Sequence, residues 1–298
     1  MKRKLLYFIN PVSGTLKKSS VVEVIKAKTA FAGFAFEICE SYASADYLFL
    51  RDKIQQEKIT DVIICGGDGT INGIASHLIN VDVNIGIIPC GSGNGLAFCA
   101  QIPKSPEKAL DIILAGNSIR IDAFYINEHF SCMLCGIGFD AQVAHDFSRQ
   151  KQRGLPTYIR QTLKNYFTAP LYPFTINIAG KDISTNAFLI SIANSNQFGN
   201  NFTIAPKASL SDGLLDVVVV KKMNKIKMLW AVYRQLKFGE LTPLEEAEGD
   251  KEILYFQVPE LIISNPISAP FHIDGDPSVT AKEFRIRIIP AALSLLVS

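Results

Sequence analysis

Hydrophobic positions in the first third of the chain follow two alternating rhythms. Short unbroken apolar runs, as carried by strands buried on both faces, fall at 4–10 (KLLYFIN), 34–41, 61–67 (DVIICGG) and 83–91 (VNIGIIPCG). Between and after them, helical spacing predicts helices over 19–33, 45–58, 70–80 and 105–116. The first of these helices opens on serine and stops at Gly33. The last opens on Ser105-Pro106 and stops at Gly116. Strand and helix in this order predict a parallel sheet covered on both faces. After about residue 121 the rhythm changes. Strand-like runs take over at 130–139, 174–180, 186–194, 214–220, 252–258, 261–265, 271–276 and 284–290. Helical spacing returns only near 155–167 and 224–238. In the last run Phe284, Ile286 and Ile288 alternate onto one face. A mostly antiparallel β domain is expected there.

Composition narrows the class. The chain has 298 residues, 48% hydrophobic and 19% charged, enough for two domains with real cores and unlike a disordered chain. A net charge of +2 does not imply a nucleic-acid surface. No apolar run reaches the length of a membrane span. The basic-then-apolar start gives only Leu5 to Ile9 before Asn10-Pro11, too short for a secretory segment, so a cytoplasmic protein is expected. The six cysteines are scattered. Cys132 and Cys135 form a CxxC without a second pair, and three residues apart on one buried strand they would face opposite sides. They read as core residues. The four histidines show no ligand spacing.

Two glycine loops carry the chemistry. Both GGDGT (66–70) and GSGNG (91–95) follow a buried strand and precede a helix. Glycine lets backbone N–H groups approach an anion, and a helix N-terminus adds positive potential. Neither loop is a P-loop, since no Gly-Lys-Ser/Thr follows. GIGFDA (136–141) fits GxGxxA formally, but no acid stands at the ribose-binding distance. Asp68 within a phosphate loop makes sense with Mg²⁺ between it and the phosphates, or as a base taking a hydroxyl proton. It could instead accept N–H bonds inside its own turn. The first two readings imply phosphoryl transfer from a nucleotide.

NPVSG (10–14), GGDGT, GSGN, GIGFDA, APKASLSDGLLDVVVV (205–220) and IDGD (273–276), in this order, resemble the diacylglycerol kinase catalytic family. That family includes bacterial lipid kinases, sphingosine kinases and ceramide kinases. The resemblance implies a Rossmann-like α/β nucleotide-binding domain (1–121, with 282–298 returning). It implies a β-sandwich lipid-binding domain (122–281) and an active site in the cleft between. By the same resemblance Asn10, Ser13, Gly67, Asp68, Gly69, Thr70, Gly91, Ser92, Gly93 and Asn94 would hold ATP. Asp274 corresponds to a proposed general base, a role Asp68 takes in other branches. Asp276 stands where the family has a glutamate facing the nucleotide and its metal. Asp212 corresponds to a carboxylate on a structural Mg²⁺, although an Asp-Gly turn explains it as well. Asp140 aligns with an acid that contacts the lipid head group. Arg149, Lys151 and Arg153 would neutralise ATP phosphates or form a solvated loop.

Two positions depart from the family pattern. Gly73 stands where glutamate is common. With Thr70 as N-cap it would forfeit a capping box, and a mid-helix glycine costs about 1 kcal/mol. Gly95 replaces the usual aspartate and resembles the sphingosine- and ceramide-kinase branch. The expectation is an ATP- and Mg²⁺-dependent lipid kinase, acting on diacylglycerol or a sphingoid-type long-chain base at a membrane surface. It would bind no nucleic acid and have no transmembrane segment, and a homodimer is left open. The basic, apolar-striped segment 221–238 could lie on an anionic bilayer or pack on its own sheet. The competing readings are a soluble-metabolite kinase of the NAD-kinase type and a nucleotide-binding module without turnover.

Overall fold

The structure is a computed structural model that describes residues 3–14, 17–41, 46–150, 155–166, 169–196, 205–221 and 253–298. Lys151, Arg153 and the predicted helix at 224–238 lie outside these residues. The chain forms two compact units, Met1–Asp122 with Pro290–Ser298, and Ala123–Ile289.

The first unit alternates β1 (Lys4–Ile9), α1 (Lys18–Phe31), β2 (Ala35–Glu40), α2 (Leu50–Glu57), β3 (Asp61–Gly66), α3 (Asp68–Ala75), β4 (Asn84–Pro89), α4 (Gly95–Cys99) and α5 (Pro106–Ala115). Its strands run parallel in the order β2-β1-β3-β4. The C-terminal end of the last strand then pairs parallel with β4, Leu295 opposite Ile85. Consecutive residues Leu5 to Ile9 and Val62 to Cys65 are all buried, so both faces of the sheet are covered. Two helix predictions shift. Helix α2 begins at Leu50 rather than 45, because the Asp46 carboxylate accepts from Leu48 N and holds a local turn ahead of it. Helix α3 begins two residues earlier than 70, because Gly67 O accepts from both Thr70 N and Ile71 N.

The second unit begins on β5 (Ser118–Ile126), a strand that starts in the first, and continues through β6 (His129–Ser131) and β7 (Leu134–Gly138). Helices α6 (Phe139–Ser148) and α7 (Leu155–Tyr166) follow. Then come β8 (Tyr172–Ile178), β9 (Lys181–Ala187), β10 (Leu189–Ala193), β11 (Leu215–Val220), β12 (Ile253–Val258), β13 (Glu260–Ser264), β14 (Phe271–Ile273), β15 (Asp276–Ser278) and β16 (Glu283–Leu296). One antiparallel sheet runs β12-β11-β10-β7-β14-β15. The other places β13 between β8 and the first half of β16, with β9 beyond β8. Their inner faces share one core that includes Phe124, Ile137, Ile176, Val217, Ile263, Phe271 and Phe284, which makes this unit a β-sandwich.

Three readings of this unit need correction. The run at 130–139 is two strands, broken where Met133 N donates to Ser131 Oγ and Met133 O accepts from Asn194 N. Cys132 and Cys135 therefore do not share a strand, although both are buried core residues as expected. Helix α6 directly follows β7, where the apolar pattern predicts only strand. The run at 186–194 divides at Phe188, where the chain passes from β9 in one sheet to β10 in the other, and the Phe188 ring stacks on Phe139 at 4.4 Å.

Candidate active site

In the first unit three loops meet at the carboxyl ends of the parallel strands. The turn after β1 is held by Asn10, whose Oδ1 accepts from Val12 N and whose carbonyl accepts from Ser13 Oγ. Asn10 Nδ2 donates to Thr70 Oγ1 at 2.8 Å, joining this turn to the GGDGT loop. Cys90 N donates to Gly66 O at 2.8 Å, joining GGDGT to GSGN. Within GSGN, Gly91 N donates to Asn94 Oδ1 and Asn94 Nδ2 returns a bond to Gly91 O, with Asn94 at φ 55. The two glycine loops touch backbone to backbone. A Cβ on Gly91 would stand 2.5 Å from Gly67 Cα, and one on Gly67 3.0 Å from Gly91 Cα. A Cβ on Gly93 would stand 2.9 Å from Asp68 Oδ2, so the Asp68 carboxylate lies against the second loop. Asn10, Ser13, Gly67, Asp68, Thr70, Gly91, Gly93 and Asn94 are thus in one place, with exposed Gly69 and Ser92 at the loop tips.

Thr70 is the third residue of α3, not its N-cap, which is Gly67. Position 73 is therefore not the capping-box partner of Thr70. A Cβ at Gly73 would meet nothing within 4 Å. The sequence reading also missed Lys18, whose ammonium donates to Ser13 O and so brings a cation to the first loop. Beneath the loops the Cys65 and Cys90 sulfurs stand 3.1 Å apart, both buried. The hydrogen bond to Cys90, followed by burial, pushes the Cys65 thiol well above its ordinary range.

In the second unit IDGD forms the expected hairpin turn. Asp274 at φ 51 and Gly275 at φ 84 link β14 to β15, with Ile273 paired to Asp276. The turn is anchored on the neighbouring β7 segment. Asp274 N donates to Leu134 O at 2.9 Å, and Asp274 Oδ1 accepts from Ser131 Oγ at 2.7 Å and Leu134 N at 3.1 Å. Asp276 is exposed at the start of β15. Asp140, on the first turn of α6, is buried. Its Oδ1 accepts from Ala141 N, and its Oδ2 stands 3.3 Å from His272 Nε2. Burial, and then the charges of Asp274 and Asp140, push the Cys135 thiol well above its ordinary range. Ser131 and His272 are partners of Asp274 and Asp140 that the sequence did not reveal. Neither belongs to a recognisable spacing, and the sheet register brings them in. Arg149 is exposed beyond α6. Asp212 forms an Asx turn, accepting from Leu214 N at 3.1 Å, with Gly213 at φ 73. Among the described residues no group of three or more His, Cys, Asp or Glu side chains could hold a metal ion. Nor is any helix there long and apolar enough to cross a membrane.

A parallel α/β unit with glycine loops at its strand ends, followed by an antiparallel sandwich, places an anion-binding end on the first unit. Residues 4–126 match the diacylglycerol kinase catalytic domain, and residues 134–297 match the YegS C-terminal NAD kinase beta sandwich-like domain. The chain is 30% identical over 271 residues to "Probable lipid kinase YegS" of Escherichia fergusonii, covering 88% of this chain and 86% of that protein. It is 27% identical over 287 residues to "Probable lipid kinase YegS-like" of Chromohalobacter salexigens, covering 94% and 90%. A crystal structure of a diacylglycerol kinase from Bacillus anthracis str. Sterne shares the fold at a TM-score of 0.76 and 20% identity, over 99% of this chain and 97% of that one. The chain belongs to the diacylglycerol kinase family of lipid kinases, in its YegS-like branch.

Proposed function

We propose that this chain transfers the γ-phosphate of ATP to a primary hydroxyl of a lipid, diacylglycerol or a long-chain base, which it meets as a peripheral protein at a membrane surface. The observation that carries the nucleotide half is the glycine-to-glycine contact of Gly67 and Gly91, which brings two glycine loops side by side at strand ends, each running into a helix. The loops from Gly67 to Thr70 and Gly91 to Asn94, with Asn10 and Ser13, bind the nucleotide. Asp68 lies among the phosphate loops and Asp276 is an exposed carboxylate, the hard oxygen donors that Mg²⁺ takes one or two at a time beside substrate phosphates. When bound, the ion supplies neutralising charge on those phosphates. Asp274, fixed by Ser131 and Leu134, accepts the hydroxyl proton as that oxygen bonds to the γ-phosphorus and ADP departs. Asp212 holds its own turn, and a structural cation there would draw on that carboxylate and nearby carbonyls. Arg149 and Arg153 are assigned to the nucleotide phosphates or the lipid head group.

The test is labelled ATP with purified chain and a panel of diacylglycerol, sphingoid base, ceramide, monoacylglycerol and NAD. Labelled lipid is expected. Asp68→Asn and Asp274→Asn should each lower the rate by about 100-fold or more. Label on NAD alone would select the NAD-kinase type of reaction. ATP binding with no labelled product would leave a module without turnover.

A further inference from the structure

We infer that Asp140 and His272 form a positioning pair that sets the Asp274–Gly275 turn, and that Asp140 acts through His272 rather than on the lipid. Strands β14 and β15 are three residues each, and while Ser131 and Leu134 hold the Asp274 half of the turn, a side chain of β14 itself reaches the Gly275 half. His272 is 1% exposed, and its Nδ1 accepts from Gly275 N at 3.2 Å. A ring nitrogen that accepts carries no proton, so the proton of the neutral imidazole is on Nε2. That nitrogen faces Asp140 Oδ2 at 3.3 Å, and a carboxylate there holds this tautomer in place. The other tautomer would set Nδ1–H against Gly275 N–H, donor against donor, beside the residue assigned the proton transfer.

The surroundings are shaped for this pair. Gly136 on β7 lies opposite His272 in the ladder. A Cβ at Gly136 would fall 1.9 Å from Asp140 Oδ2 and 2.5 Å from His272 Nε2, so the pair occupies space that only bare backbone leaves. Asp140 is 6% exposed, and one of its oxygens is engaged by Ala141 N at the start of α6. A second tie joins the same elements, His145 Nε2 to Phe271 O at 3.0 Å. Helix α6 and β14 are therefore joined at two points, Asp140 to His272 and His145 to Phe271.

The kinetic arm of the test rests on the kinase reading, while the spectroscopic arm needs no turnover. Long-range ¹H–¹⁵N spectra of the labelled full chain at neutral pH should show His272 as the neutral Nε2–H tautomer, assigned by its loss in His272→Asn or His272→Gln. A doubly protonated ring or an Nδ1–H tautomer overturns the inference. Asp140→Asn should change the tautomer balance. In turnover, His272→Asn retains an acceptor near the Nδ1 position and should keep kcat within about threefold, whereas His272→Gln lacks it and should lose about tenfold or more. KM for ATP and for lipid should hold within about twofold in both. If Asp140→Asn instead raises the lipid KM and leaves kcat and the His272 tautomer unchanged, Asp140 acts on the head group and the inference fails. A chain without lipid kinase activity would sink the proposed function, and the tautomer would still decide this inference.

Discussion

The site depends on where single residues lack a side chain. Gly91 faces Gly67 across two loops, and the atom a Cβ would strike is backbone Cα at 2.5 Å, which cannot rotate away. Gly91→Ala should therefore push the loops apart and weaken ATP binding by about tenfold or more, read by calorimetric titration, with the second unit's fold intact. Unchanged affinity would mean that the loop contact does not matter to the nucleotide. Gly73 is the opposite case. It is inside α3 with open space around its Cα, and it no longer bears on capping. Gly73→Ala should stabilise the chain by about 0.5–1 kcal/mol in urea unfolding and leave turnover as it was. The sequence flagged both glycines, one as loop and one as departure. What each glycine faces is a property of tertiary contact, and no spacing in the chain encodes it.

Elements were legible where their pattern was self-sufficient. The strands of the parallel sheet announced themselves by unbroken apolar runs, since a strand covered on both faces needs apolar side chains at every position. The Asp274–Gly275 hairpin was legible because an Asp-Gly turn with two positive φ values favours those residues. Helix α6 was not, because its apolar spacing, Phe139, Val143 and Phe147, directly continues a strand of similar composition. The break at Phe188 was likewise hidden, because there the chain passes from one sheet to the other within a continuous apolar run. A pairing between strands carries a further consequence. Asp216 on β11 is fully buried and accepts from Tyr255 Oη and Gln257 Nε2 of β12. Burial raises its carboxyl above the ordinary range despite those bonds. A carboxyl whose folded pKa exceeds its unfolded one contributes stability below the unfolded pKa and loses it as pH rises through the folded one. The stability of the chain relative to Asp216→Asn should therefore be greatest at acid pH and shrink toward neutrality. Urea unfolding of both proteins across that range measures it, and a difference that grows with pH would contradict the sign.

At the scale of the whole molecule, the order of motifs along the chain was enough to identify a parallel α/β unit followed by a sandwich. Most of the loop residues named from sequence do gather at one end of the first unit. The second unit's contribution was less legible, because its ladder, and not its sequence spacing, brings Ser131, Gly136, Asp140 and His272 to the Asp274 turn. The two units also differ in what they offer a ligand. The first presents backbone N–H groups of glycine loops, suited to phosphate. The second presents the Asp274 turn, whose carboxylate repels phosphate unless a cation lies between them and suits a proton or a hydroxyl. A nucleotide should therefore act locally. Hydrogen exchange on the full chain, with a non-hydrolysable ATP analogue alone, should slow amides at 10–14, 66–71 and 91–95. A bound ligand stabilises the segments whose opening would release it, and protection rises with its concentration over Kd. A short-chain diacylglycerol or sphingoid base alone should instead slow amides around 131–140 and 271–276. Protection by nucleotide confined to the sandwich would reverse the assignment of the two units, even in a chain fully active as a kinase.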